Sequence, residues 1–133
     1  MGSHARFSPS SANRRINCPP SLVLEEQFQD EESQYAAEGS AGHALAEHLI
    51  KKHLKQRSRR PVSDYTDEIV EAVDEYVSFV IENIEEARRS CKNPKFLVEH
   101  RVDASDYVDE CFGTADMVIV TDSIVQIIDL KLG

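Results

Sequence analysis

The chain contains no stretch apolar enough to cross a membrane. Its uncharged apolar runs fall far short of the roughly 20 residues that a spanning helix needs, and its start lacks the apolar block of a secretory signal. It therefore reads as a cytoplasmic protein with no membrane partner. Cysteine is sparse: Cys18, Cys91 and Cys111 are odd in number and none forms a C-x-x-C pair. Neither a disulfide framework nor a complete zinc site follows from them, and free thiols are expected. Positive charge is short as well, with 15 Lys and Arg against 24 Asp and Glu and a formal net charge of -9. That sign argues against a general nucleic-acid coat protein, because phosphate binding is driven by basic side chains that release counterions. There is no internal repeat and no low-complexity tract.

What is present is the composition of one soluble globular domain with a modest core: 133 residues, 41% hydrophobic and 29% charged. Residues 1–92 read as helical and residues 93–133 as a three-stranded sheet. A short helix from about Ser10 breaks at Cys18-Pro19-Pro20, and a second begins with Pro20 in its first turn. "DEESQ" is a polar connection. From about Tyr35 to Lys55, Leu45, Ala46, Leu49, Ile50 and Leu54 recur at helical spacing, with Gly39 and Gly42 permitting close backbone approach. Thr66 caps a helix running to about Ser90, whose buried stripe is Ile69, Val73, Tyr76, Val77, Val80 and Ile84. "KFLVEHRV" alternates as a strand, and two more strands flank Thr121-Asp122-Ser123.

Those last strands carry Asp116 and Asp129 among strongly apolar residues. Alternation puts Thr114, Asp116, Val118 and Val120 on one face, and Val125, Ile127, Asp129 and Lys131 on one face of the next strand. A two-residue loop at Asp122-Ser123 pairs Thr121 with Ile124, Val118 with Ile127 and Asp116 with Asp129. Like charges in opposition destabilise a sheet, so something must offset them. A divalent cation such as Mg²⁺ would do so. Lys131 is placed to hold an attacking water or to stabilise charge as a phosphodiester is cleaved. A solvated strand end with a structural Asp–Lys pair fits the pattern equally well. Without a cation, the opposed pair predicts that neutralising Asp116 stabilises the protein.

"GTAD" followed by "IDLK" resembles motifs II and III of the PD-(D/E)XK nuclease superfamily, in its RecB-like branch with the CRISPR-associated exonucleases. The wider blocks "HARFSPSSANRRINCPPS", "YAAEGSAGHALAE" and "FGTADMVIV…IIDLKLG" resemble a phage and prophage protein family of that branch, catalogued without an assigned function. The resemblance implies a metal-dependent DNA nuclease, of exonuclease type, with an α/β restriction-endonuclease-like core. The alternative is a non-catalytic phage protein that keeps the fold for binding nucleic acid or protein, or an inactive truncated fragment. Asp116, Asp129 and Lys131 match the catalytic positions, and His43 matches a helix-borne metal ligand, which tilts the expected cofactor toward Mn²⁺ as well as Mg²⁺. Glu47, one turn on from His43, either orients the histidine, reaches the metal indirectly or is a surface partner. Glu99 matches an acidic position of the first core strand, or pairs with Arg101. Glu38 is a weaker candidate.

Cys18 matches the first ligand of an iron–sulfur cluster found in relatives. The other cluster cysteines fall beyond Gly133 in those proteins, so a buried free thiol is the expected state here. Lys51, Lys52, Lys55, Arg57, Arg59 and Arg60 form a basic run that either tracks a DNA backbone or is a solvated helix end. The family order α-β-β-β-α-β implies that this chain, an α+β stretch of N-terminal helices and an antiparallel meander, stops before the final core helix and strand.

Overall fold

The computed structural model describes residues 5–27 and 34–132. Most of the "DEESQ" connection lies outside them; Gln34 opens a helix. The described residues form two compact units, one of residues 5–27 with 101–114 and one of residues 34–100 with 115–132.

In the first unit a 3-10 turn at Pro9–Ser11 leads into α1 (Ala12–Asn17), and α2 follows at Ser21–Glu25. The prolines explain the break between the helices. Cys18 closes α1 by donating its N–H to Arg14 at 2.8 Å, Pro19 and Pro20 have no N–H to continue the ladder, and Pro20 then enters α2 as its N-cap. This turn corrects the expectation for Cys18, which is exposed rather than buried, because it sits in the surface connection between two short helices. The buried thiol is Cys91; Cys111 is half-buried, and all three are free.

The second unit holds α3 (Gln34–His53) and α4 (Asp67–Ser90) against the sheet. Thr66 caps α4 as expected, its Oγ1 accepting from the Ile69 N–H at 3.3 Å. Along α4, Val73, Tyr76, Val77, Val80 and Ile84 are buried at three- and four-residue spacings, while Glu71, Asp74 and Glu75 face solvent. From α3, Leu45, Ala46 and Ile50 complete the helical side of the core.

The strands β1 (Lys95–Asp103), β2 (Phe112–Val120) and β3 (Val125–Ile128) form an antiparallel sheet in the order β1-β2-β3. The architecture is therefore mixed α+β. The hairpin register is the one that a two-residue loop dictates: Val120 pairs with Val125, Val118 with Ile127 and Met117 with Ile128. Alternation divides the faces sharply. Met117, Ile119, Ile128 and Leu130 join the helical core, whereas Val125 and Ile127 on the opposite face are 65% and 61% exposed.

Gly42 and Gly39 differ in what surrounds them. A Cβ on Gly42 would run into Leu132 Cδ1 and lie 3.2 Å from Ile69 Cγ2, whereas one on Gly39 meets nothing within 4 Å. Close approach is thus required only beside His43, where α3 seats against α4 and the chain beyond β3. Urea unfolding checks this. Gly39→Ala should stabilise by about 0.5–1 kcal/mol through helix propensity, and Gly42→Ala should destabilise by about 1–3 kcal/mol through overpacking. Stabilisation by both would show that the Gly42 contact yields freely.

Candidate metal centre

Asp116 is built into the structure rather than left at a strand end. The β2–β3 ladder ends at Met117–Ile128, one residue short of the Asp116–Asp129 pair that the two-residue loop predicts. Only 13% of the Asp116 side chain is exposed. Oδ2 accepts the Leu130 N–H at 2.7 Å, and Oδ1 lies 3.4 Å from His43 Nδ1. Burial pushes the Asp116 carboxyl up, but the hydrogen bonds from His43, the Leu130 N–H and Asp129 outweigh it and hold the group below its ordinary range.

His43 reaches this point from α3. Its hydrogen bond to Asp116 raises the imidazole above its ordinary value against the opposing effect of burial, with the charges of Asp116, Glu99 and Asp129 adding to the rise. Glu99 arrives from β1 through an unusual backbone, with φ of 49°. The other described non-glycine residues with positive φ, Lys55 and Glu110, sit in turns. A left-handed residue inside a strand costs about 1–3 kcal/mol, and such kinks re-aim a side chain. The Glu99 carboxyl is raised, first by burial and then by the charges of Asp116 and Glu47. Its alternative partner is engaged elsewhere: the Arg101 guanidinium lies over the Phe112 ring at 3.9 Å and pairs with Asp103.

One ligand atom each from His43, Glu99 and Asp116 lies within 4.8 Å of the others. Ligands sharing an ion at a Mg–O distance of about 2.1 Å are at most about 4.2 Å apart, so small side-chain rotations close the set around a cation. One imidazole and two carboxylates suit Mn²⁺ and Mg²⁺; the second carboxylate is Glu99, whereas Asp129, the ligand expected from the sequence, is not among the three and pairs with Lys131.

Lys131 pairs with Asp129, and its side chain is 88% exposed. That hydrogen bond raises the ammonium further, so Lys131 is a cation and a donor near neutral pH. Glu47 borders the same pocket as His43, Glu99 and Asp116 but is paired with Lys51, so Lys51 is partly neutralised within its own helix. Lys52, Lys55, Arg57, Arg59 and Arg60 are exposed beyond it. Glu38 lies apart from the His43 cluster, lining a hollow with Thr66, Glu68 and Lys131. The Tyr76 ring packs in the core, while the residue also lines the pocket of His43, Glu99 and Asp116. Its place in the helical stripe signalled the first role and gave no hint of the second.

The chain belongs to the family described as "Protein of unknown function (DUF2800)", which it matches over residues 4–133. No solved structure matches the chain.

Burial and like charge raise Glu99 while hydrogen bonds lower Asp116, which points to Glu99 as the carboxylate whose neutralisation relieves repulsion, where strand opposition alone points to Asp116. In chelator, Glu99→Gln should raise the melting temperature. Asp116→Asn should lower it, since an amide forfeits the charge in bonds worth about 1.5–3 kcal/mol each. The reverse order would place the repulsion back on the cross-strand pair.

A pH dependence follows from His43, whose folded value exceeds the unfolded value of about 6.5. Between the two values the folded state holds a proton that the unfolded state has lost, so stability falls as pH rises. The contribution is full below about pH 6.5 and is lost as pH climbs through the folded value. Melts of the chelated protein should decline upward from that point, and His43→Gln should flatten the decline. An unchanged slope would mean that the imidazole does not carry the charge facing Asp116.

Proposed function

We propose that the chain carries a divalent-cation-dependent phosphodiesterase centre acting on DNA, in a restriction-endonuclease-like core of the PD-(D/E)XK superfamily and its RecB-like branch. The observation that carries this reading is the convergence of His43, Glu99 and Asp116, from three different elements, within 4.8 Å. Asp129 and Lys131 stand beside them. Structural ion pairs alone do not account for three acids, one of them on a strained backbone, gathered around one imidazole.

His43, Glu99, Asp116 and Asp129 would hold the cation. When bound, it would polarise a phosphoryl oxygen and lower the pKa of the attacking water. Lys131 adds a permanent positive charge facing solvent, placed to stabilise the negative charge that grows on phosphate in the transition state. Asp129 orients that ammonium through their ion pair. Asp116, fixed by the Leu130 N–H, keeps the other three groups in register.

The basic run supports DNA as the substrate. The run begins at Lys51 in the last turn of α3, about 12 Å along the axis from His43, counting eight residues at 1.5 Å each, and continues past the helix end at His53. Lys52, Lys55 and Arg57 are exposed there to follow a phosphate backbone. The attraction is salt-dependent and blind to sequence.

The test is cleavage of labelled DNA by the intact protein in Mn²⁺ or Mg²⁺. Chelator should abolish it. Asp129→Asn and Lys131→Ala should each reduce it by about 100-fold or more while circular dichroism stays unchanged. Full activity in both variants would move the catalytic centre elsewhere, and metal-dependent DNA binding without cleavage would assign the fold to binding alone.

A further inference from the structure

The stretch that carries Asp129 has lost its sheet partner. The β3 ladder ends at Ile128, and Asp129 follows directly. Side chains hold the two peptide groups flanking Asp129. On its C-terminal side the Leu130 N–H donates to Asp116 Oδ2 at 2.7 Å. On its N-terminal side the Ile128 carbonyl accepts from the Tyr76 hydroxyl at 3.4 Å, a contact spanning 52 residues of sequence.

Tyr76 is 9% exposed, and its ring packs with Val73, Val77 and Val80 on α4. Its hydroxyl stands where the charges of three acids reach it. Burial first, and then Asp116, Asp129 and Glu99, push the phenol well above its ordinary range, so it is a neutral donor near neutral pH. A phenylalanine would fill the same core position, so packing does not require the hydroxyl. Its hydrogen bond has a different effect, setting the height of the Ile128–Asp129 peptide over the sheet.

We infer that Tyr76 is a positioning residue for Asp129, holding the Ile128 carbonyl so that the Asp129 carboxylate meets that of Asp116 around a shared divalent cation. The inference rests on the metal-centre reading above. It adds a third helical or strand element to the control of Asp129: β2 through Asp116, the β3 ladder, and α4 through Tyr76. A ligand on a free strand end samples many orientations, and a misplacement of about 1 Å at such a group is costly.

The test is a Mn²⁺ titration by calorimetry on the whole chain, at a temperature where circular dichroism shows every variant folded, paired with melts in chelator. Tyr76→Phe should weaken Mn²⁺ binding about 10-fold, the scale on which groups supporting a metal ligand act, with little change in the chelated melt. Tyr65→Phe removes another buried hydroxyl, one with no hydrogen-bond partner, and should leave Mn²⁺ affinity unchanged. A double-mutant cycle identifies the route: in an Asp129→Asn background, Tyr76→Phe should have no further effect on affinity.

Equal Mn²⁺ affinity in wild type and Tyr76→Phe overturns the inference and leaves the metal centre standing. So does a loss that persists undiminished in the Asp129→Asn background, since Tyr76 would then act elsewhere. Absence of Mn²⁺ binding by the wild type strikes the metal centre itself, and this inference falls with it.

Discussion

One carboxylate, Asp116, ties the second unit together at the point where its regular structure runs out. The β3 ladder stops at Ile128, and the Leu130 N–H lies in a part-buried position that would otherwise leave a donor unpaired. Asp116 Oδ2 takes that hydrogen, while Oδ1 faces His43 on α3. A single side chain on the middle strand therefore joins a helix, the sheet and the chain leaving it. The same bonds explain why an aspartate survives beside buried Val118 and Met117: its charge is satisfied in place.

The acids around this point do not behave alike. Asp116 is held in its ionised form by hydrogen bonds, whereas Glu99 is pushed toward its neutral form by burial and by like charges. Environments that drive neighbouring carboxyls in opposite directions assign them different tasks. Glu99 is the member whose ionisation costs most in the absence of a cation, and it is also the member on strained backbone. Strain and electrostatic cost concentrated on one residue are features that functional sites collect, and they support the proposed cation site.

Much of this was legible in the sequence because it depends on period and loop length. The spacing of Val73, Tyr76, Val77, Val80 and Ile84 defined α4 and its buried face, and the Asp122-Ser123 loop alone fixed which residues of β2 and β3 stand opposite. Other features depend on tertiary position and left no local trace. The left-handed backbone at Glu99 interrupts a strand whose sequence simply alternates. The pairing of His43 with Asp116 reverses the expected stability effect of Asp116, because opposition to Asp129 across the strands is only one of the charges it feels. Cys18 was misjudged because thiols are usually buried, and the two prolines after it prevail over that tendency. Tyr76 illustrates a deeper limit: a residue in a hydrophobic stripe reads as core, and only the fold reveals where its polar end points.

The charge of the whole chain, -9, is compatible with the proposed polyanionic substrate because of where the charges lie. The acidic residues of α4, among them Glu71, Asp74 and Glu75, lie on its solvent face, opposite the stripe that packs into the core. The positive charge is gathered at the end of α3, which also carries His43. Attraction for phosphate is set by local potential and decays over about 8–10 Å at physiological salt, so the sign near α3 governs docking more than the sum over the molecule does. Glu47 tempers that potential by neutralising Lys51, the basic residue nearest His43 along the helix. Close to the cluster, the field is therefore dominated by acids that attract cations, and farther along α3 by bases that attract phosphate. On the proposed function, a substrate held by the far end of α3 would present its phosphates to the acidic cluster only with a cation between them, so the helix by itself would couple the proposed DNA binding to the proposed metal binding.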